Sequence, residues 1–278
     1  MFHAHEAATE KFYGTGVEKF GDYHNRYLNF GLWDESVNNY NEASENLLRT
    51  VATSINLDNH AKLLDVACGM GTQDSFFLRE FNCKSIEALD LTTKHIEIAK
   101  KHNPDTRINF VRGNACYLPY SENQFTHVIG IEGPANFNTR EKFLKEAFRV
   151  LEPGGRLGLS DYALARTPKS WWERQLVKWS TKVWHMPIEN VHTSDEFVKM
   201  LKQCGFEDVK IDVVTERVIP GYIAENRKVE SRKEIYRIRG PIWGRLSDYL
   251  DDFVEWLYHK KLVDYVLVSA KKPEHKNV

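Results

Sequence analysis

Residues Leu63–Thr72 read Leu-Leu-Asp-Val-Ala-Cys-Gly-Met-Gly-Thr. An apolar run containing Asp65 breaks at Gly69 and Gly71, and a helical pattern starts at Gln73. Paired glycines let a backbone turn sharply and pass close to a ligand before a helix begins. The same alternation continues outward. Lys62–Ala67, Ser85–Asp90, Arg107–Val111, Phe125–Ile131 and Arg156–Ser160 read as strands, with helical patterns at Gln73–Phe81, Thr93–His102 and Arg140–Leu151. Strand, helix, strand at this spacing is the pattern of right-handed crossovers, so an α/β fold with a largely parallel sheet is expected.

The flanks extend the pattern. Ala43, Leu47, Leu48, Val51, Ala52 and Ile55 recur at helical spacing ahead of the first strand. A helix starting at Thr193 or Ser194 stops at Cys204-Gly205, and Val209–Thr215 and Val263–Ala270 read as two more strands. Between those strands, Tyr222–Lys261 is helical in two pieces broken near Gly240-Pro241. The expected organisation is one domain over residues 1–278. It comprises a cap (1–60), a ligand-binding core (61–165), a lid insertion (166–192) and a C-terminal part (193–278) with a helical insertion at 222–261.

The 278 residues include 38 basic and 39 acidic side chains, a formal net charge of −1. That balance lacks the basic excess on which nucleic-acid binding depends. No run of about 18 apolar residues exists to span a bilayer, and the N-terminal MFHAHEAATEKF has charges where a signal peptide is apolar. Four widely spaced cysteines suggest free thiols in a reducing compartment, and a cytoplasmic location is expected. His3-x-His5 has no nearby third ligand, so no metal is expected.

The loop chemistry is selective. A dinucleotide fold places a third glycine where this chain has Asp74, and a carboxylate there repels pyrophosphate. The lysine of a triphosphate-binding loop is also missing. Acids without a basic residue suit a cationic ligand such as S-adenosylmethionine, which carries a sulfonium. Asp90, at the end of the next strand, can accept both ribose hydroxyls, and Asn114 and Ala115 stand where an adenine edge would lie.

LLDVACGMGT, EALDLTTKHIEIAKKH, VRGNACYLPYSENQFTHVIGIE and FRVLEPGG, in this order, resemble the successive motifs of class I S-adenosylmethionine-dependent methyltransferases, covering about Lys62 to Tyr162. The resemblance implies a doubly wound, Rossmann-like, seven-stranded sheet of order 3-2-1-4-5-7-6 with an antiparallel seventh strand, a helical cap and helical lid insertions. It implies a cofactor set of Asp65, Ala67, Gly69, Gly71, Gln73, Asp90, Leu91, Asn114, Ala115 and Ile131. Ala67 stands where the family more often has glycine, and Asn114 where it often has aspartate.

KFYGTGVEKFGDYHNRYLNFGLWDES resembles the cap of the small-molecule branch, which includes tocopherol, sterol, sarcosine and natural-product enzymes. By that resemblance Tyr13, Leu32 and Trp33 close over cofactor and acceptor. Four of the seven tryptophans lie at 171–184, and Trp172, Leu176, Trp179 and Val183 share a helical face. That face either packs on the core, lines an acceptor pocket or touches a membrane surface.

Methyl transfer is an in-line displacement that needs alignment and, for some acceptors, a base. Asp161 at the end of the fifth strand, Glu132 at the end of the fourth, His185 and Tyr13 are the catalytic candidates. The histidine pair that many relatives carry after the Glu132 position is replaced by Ala135-Asn136-Phe137. The expected activity is methyl transfer to a small hydrophobic acceptor, with an oligomer possible. A cyclopropane-type lipid synthase and a non-catalytic binding protein are the rivals.

Overall fold

The computed structural model describes residues 2–19 and 26–274; the Phe20–Asn25 part of the cap segment and the His3 side chain lie outside the described residues. Helix α1 (Phe2–Gly14) is followed by a 3-10 turn (Val17–Lys19), and helix α2 (Tyr40–Ser54) precedes the sheet. The Asn39 side chain accepts the Glu42 N–H and so caps α2. The alternating core then runs β1 (Lys62–Val66), α3 (Thr72–Phe81), β2 (Ser85–Asp90), α4 (Thr93–His102), β3 (Ile108–Arg112), β4 (Phe125–Ile131), α5 (Arg140–Val150) and β5 (Leu151–Ala163). After it come α6 (Trp171–Val183), α7 (Ser194–Gln203), β6 (Glu207–Val213), α8 (Thr215–Asn226), α9 (Val229–His259) and β7 (Asp264–Lys271).

The strands form one seven-stranded sheet in the order β3-β2-β1-β4-β5-β7-β6. The β1–β2, β1–β4, β2–β3 and β4–β5 pairs are parallel, and β7 is antiparallel to both β5 and β6. The inner strands bury both faces, as βαβ sheets require. On one face Leu47, Leu48, Val51, Phe76, Phe77 and Ile96 pack together; on the other lie Phe143, Leu144, Ala147, Phe197 and Leu201.

The structure moves some boundaries. β5 begins at Leu151 rather than Arg156, because Leu151 pairs with Phe125 and a bulge absorbs the Pro-Gly-Gly turn before Arg156 pairs with His127. β6 stops at Val213 because the Thr215 hydroxyl accepts the Tyr265 N–H at 3.0 Å and donates to Asp264 Oδ1 at 2.9 Å. That contact starts α8 well before Tyr222. The break in α9 falls at Gly240, with φ 77° immediately before Pro241. Thr193 and Glu196 form the capping box of α7, and Gly205 takes φ 101° just beyond its end.

Candidate active site

At the carboxyl ends of the parallel strands lies a cavity of about 1530 Å³. Its floor is the loop after β1. Ala67 has φ 69°, Gly69 φ 55° and Gly71 φ 80°, and the Ala67 and Cys68 N–H groups donate to Leu89 O at 2.8 and 3.1 Å. Gly71 is required by space: a Cβ there would sit 2.8 Å from the Phe110 ring. Gly133 is required similarly, since its Cβ would lie 2.6 Å from that of Ala67. Ala67, Gly69 and Gln73 line the cavity, whereas Gly71 shapes the turn from outside it.

Asp65 is also outside the cavity, fully buried beneath the loop, which corrects its assignment as a direct ligand. Gln73 donates to its Oδ2 from Nε2 at 2.7 Å. Asp74 is buried beside it, and desolvation raises both carboxyls, Asp65 to about 7 and Asp74 further, with the Asp65 charge adding to the Asp74 shift. One proton shared within this pair relieves the repulsion.

Asp90 does line the cavity. Its Oδ2 accepts the Gly69 N–H at 3.0 Å, its Oδ1 accepts the Thr92 N–H at 2.8 Å, and His95 Nδ1 lies 3.2 Å from Oδ1. Leu91, Asn114, Ala115 and Ile131 lie around the same end. Asn114 donates to Glu6 Oε1 at 2.6 Å, and Arg112 pairs with Glu10 at 2.9 Å, so α1 closes this end of the cavity.

Glu132 adopts φ 55° and is anchored by three donors. Phe30 N–H and Tyr265 OH reach Oε1 at 2.6 and 2.7 Å, and Tyr162 OH reaches Oε2 at 3.0 Å. Burial pushes this carboxyl up to about 7, against the pull of those hydrogen bonds. Glu132 thereby ties the cap segment to the sheet and positions Phe30, which stacks on Tyr222 at 3.9 Å. Tyr13 also lines the cavity; burial, then the Glu132 and Asp90 charges, push its hydroxyl up.

Three further catalytic or binding assignments are corrected. Asp161 does not line the cavity: its fully buried carboxylate accepts Arg140 Nε at 2.8 Å and the Ala135 and Tyr162 N–H groups at 3.1 and 2.8 Å. With three donors fixing it away from the cavity, the Asp161 carboxylate serves the structure rather than facing an acceptor. Trp33 turns away as well, packing on Gly221 and donating from Nε1 to Phe30 O at 2.9 Å, while Leu32 is fully buried in the core. Tyr27, Leu28 and Phe30 line the cavity where Leu32 and Trp33 were expected.

His185 lines the cavity, with φ 52° and its ring 4.5 Å from that of Phe12. Burial and the neighbouring His5 hold its imidazole below the usual histidine range. The tryptophan helix is not a core element: Trp172 is 74% exposed, and the buried side chains of α6 are Val177 and Thr181. Trp179 meets Phe253 of α9 edge-on at 5.0 Å and Trp184 stacks on it at 5.8 Å, building an aromatic wall of the cavity. Sequence reasoning missed the hub that holds α6 in place. Arg140, 0% exposed, donates to Asp161, Asn190 O and Tyr162 O, and Asn190 Nδ2 donates to Ala135 O and Phe137 O. Nothing in the local pattern around Arg140 distinguishes it from a surface arginine opening a helix.

The site fits S-adenosylmethionine: the glycine loop and Asp90 line the cavity, and Asp90 Oδ2 keeps one acceptor site for a sugar hydroxyl. Among the described residues, no group of His, Cys, Asp and Glu is arranged to hold a metal, and no helix is long and apolar enough to cross a membrane.

Comparison with known proteins agrees. Residues 64–159 match the family described as a methyltransferase domain. The chain is 27% identical to the erythromycin 3''-O-methyltransferase of Saccharopolyspora erythraea, over 89% of this chain and 84% of that protein. It is 25% identical to the 27-O-demethylrifamycin SV methyltransferase of Amycolatopsis mediterranei, over 94% and 97%. The fold is similar to that of geranyl diphosphate C-methyltransferase from Streptomyces coelicolor A3(2), at TM-score 0.74 and 14% identity over 96% and 98% of the two chains. Residues 64–159 thus carry a methyltransferase domain, and fold, glycine loop and relatives are similar to those of class I S-adenosylmethionine-dependent methyltransferases.

Proposed function

We propose that the enzyme methylates a hydroxyl oxygen on a large, mostly apolar small molecule. The observation that carries this reading is the single cavity running from the glycine loop to the aromatic wall of α6 and α9. Its volume of about 1530 Å³ exceeds the roughly 300–1,000 Å³ typical of a site for one drug-sized ligand. Cofactor and a bulky acceptor therefore fit together. Two relatives named for O-methylation of erythromycin and a rifamycin support the choice of atom and acceptor.

Bound S-adenosylmethionine would supply a methyl carbon activated by its sulfonium, open to in-line attack by the acceptor oxygen with S-adenosylhomocysteine as the leaving group. Ala67, Gly69, Gln73, Asp90, Leu91, Asn114, Ala115 and Ile131 hold the cofactor, with Asp65 and Gly71 supporting the loop from beneath. Trp179, Trp184 and Phe253 exclude water around the acceptor. His185, uncharged near neutral pH because its imidazole is held low, takes the hydroxyl proton at a ring nitrogen. Tyr13 stays protonated and offers a donor, and Glu132 positions the Phe30–Tyr222 stack. The lipid-synthase rival needs an anion beside Glu132, but that buried carboxyl already receives three donors and repels an anion when ionised. Cys68, Cys83, Cys116 and Cys204 are all free thiols, which supports work in a reducing compartment such as the cytoplasm.

The test is transfer of labelled methyl to a panel of macrocyclic and polycyclic alcohols, with their methyl ethers as controls. Conversion of an alcohol to its labelled methyl ether, with no label entering the pre-formed ethers, is expected; no labelled product from any alcohol, or label on nitrogen or carbon only, overturns the oxygen reading. His185→Gln should lower kcat by about 10²–10⁴-fold with S-adenosylhomocysteine affinity unchanged. An unaltered kcat removes His185 as the base.

A further inference from the structure

We infer that Asp251 anchors the acceptor through a basic amine, held as an ammonium ion apart from the hydroxyl that reacts; this rests on the cavity being the acceptor site. Four acids fall between positions 248 and 255 of α9. Three of them have cations: Asp248 pairs with Arg232 at 2.7 Å, and Asp252 and Glu255 pair with Arg227 at 2.7 and 2.6 Å. None of those three lines the cavity. Asp251 does line it, half-buried, and has no lysine, arginine or histidine at ion-pair distance among the described residues. Its partner is neutral: Nδ2 of the buried Asn226, at the end of α8, donates to Oδ1 and Oδ2 at 3.2 Å each. The acid turned toward the ligand space is thus the one that packing leaves without a counter-ion.

A carboxylate drawn out of water beside apolar side chains, here Leu250 and Val254, is costly unless a positive charge compensates it. Burial raises Asp251 to about 6; the Asn226 hydrogen bond lowers it, the Asp248 charge raises it, and the Arg227 and Arg239 charges lower it from farther off. Arg227 is already shared between two acids, and the exposed Arg239 donates to Ser247 Oγ at 3.2 Å. Tyr222, which faces the same space from α8, is pushed up by burial and stays protonated. Near neutral pH Asp251 is therefore mostly ionised, and each of its oxygens, with one N–H from Asn226, keeps an acceptor site. An ammonium supplies both a donor and the missing charge, whereas a hydroxyl supplies only the donor and an anion is repelled. A protonated amine has no lone pair to take the methyl group. It can hold the acceptor in place while an oxygen attacks.

The test is calorimetry on the full chain saturated with S-adenosylhomocysteine. The probes are pairs of macrocyclic and polycyclic alcohols that differ only in a dimethylamino group or the hydrogen in its place. In at least one pair the amine should bind about tenfold more tightly than its counterpart. Asp251→Asn keeps the shape and an acceptor toward Asn226 but lacks the charge, so it should weaken the amine about tenfold more than the counterpart. Asp251→Glu, which restores the charge, should recover part of that loss. Two results overturn the proposal: no pair in which the amine binds more tightly, or Asp251→Asn weakening both members by the same factor. Should Asp251→Asn fail to fold, pH decides with the unaltered protein. The advantage of the amine should shrink as pH falls below about 6 and Asp251 takes up its proton; a constant advantage from about pH 5 to 8 overturns the proposal. Binding is the readout throughout, so a failure to methylate any alcohol would count against the oxygen reading and leave the amine anchor standing.

Discussion

Asp161 and Arg140 show how little the position of a charged residue says about its work. Both are fully buried and bonded to one another. Removing one member of such a pair strands the other, at a cost of about 3–5 kcal/mol. Asp161→Ala should therefore lower the melting temperature sharply, while the folded fraction keeps its cofactor affinity and turns over within about twofold of the unaltered enzyme. Melting curves and kinetics on the folded fraction check this, and a large kcat loss at unchanged stability would restore a catalytic role. Gly133 makes a second case, because its added Cβ would lie 2.6 Å from Ala67 Cβ and 2.9 Å from the Phe137 ring. Gly133→Ala should push the cofactor loop aside and weaken S-adenosylhomocysteine binding about tenfold. Ala67→Gly in the same chain should restore part of it, since it removes one of the two clashes and suits φ 69°. Equal affinities for the single and double variants would show that the loop does not transmit the clash.

At the scale of elements, α6 illustrates the ambiguity of an aromatic stripe. Helical spacing says which residues share a face, but not what that face meets. Here the face meets α9 and the cavity rather than the sheet, because the Arg140–Asn190 hub holds the chain around α6 beside the site. Trp179→Ala should raise the acceptor KM about tenfold and leave S-adenosylhomocysteine affinity unaltered. An unchanged KM would put the acceptor elsewhere. The glycine loop is the opposite case: two glycines and an acid are legible in sequence because the turn tolerates so few alternatives. The cap segment lies between these extremes. Its aromatic character was legible, but Phe30 rather than Trp33 faces the cavity, since Glu132 fixes the Phe30 N–H from a strand over a hundred residues away.

Across the whole molecule, buried acids and histidines set the pH response. Asp65 and Glu132 are raised to about 7 and Asp74 further, each chiefly by burial. The folded chain holds protons there that the unfolded chain releases near pH 4. Their stabilisation is complete below the unfolded values and is lost as pH rises through about 7. His127, His185 and His192 are lowered by burial, so their contribution is present above about 6.5 and is lost as pH falls through their folded values. The cofactor-free protein should therefore melt highest in acidic buffer and lose stability as pH rises from about 4 to about 7, where the unfolded chain has released protons that the folded chain still holds. Glu132→Gln should flatten that decline, as thermal melts across the range would reveal; an unchanged slope would mean Glu132 is already ionised in the folded state.

The strands themselves, the glycine turn and the acid closing β2 follow from hydrophobic period and residue type, which act over a few residues and are written directly in the chain, whereas the strand order followed from the family resemblance. The partners of the acids are not local. Asp161 meets Arg140, Asp65 lies beneath its loop, and Glu132 gathers Phe30, Tyr162 and Tyr265 from three separate segments. Whether a carboxylate faces a ligand or an internal donor depends on which distant groups packing brings to it, and only the folded chain decides that.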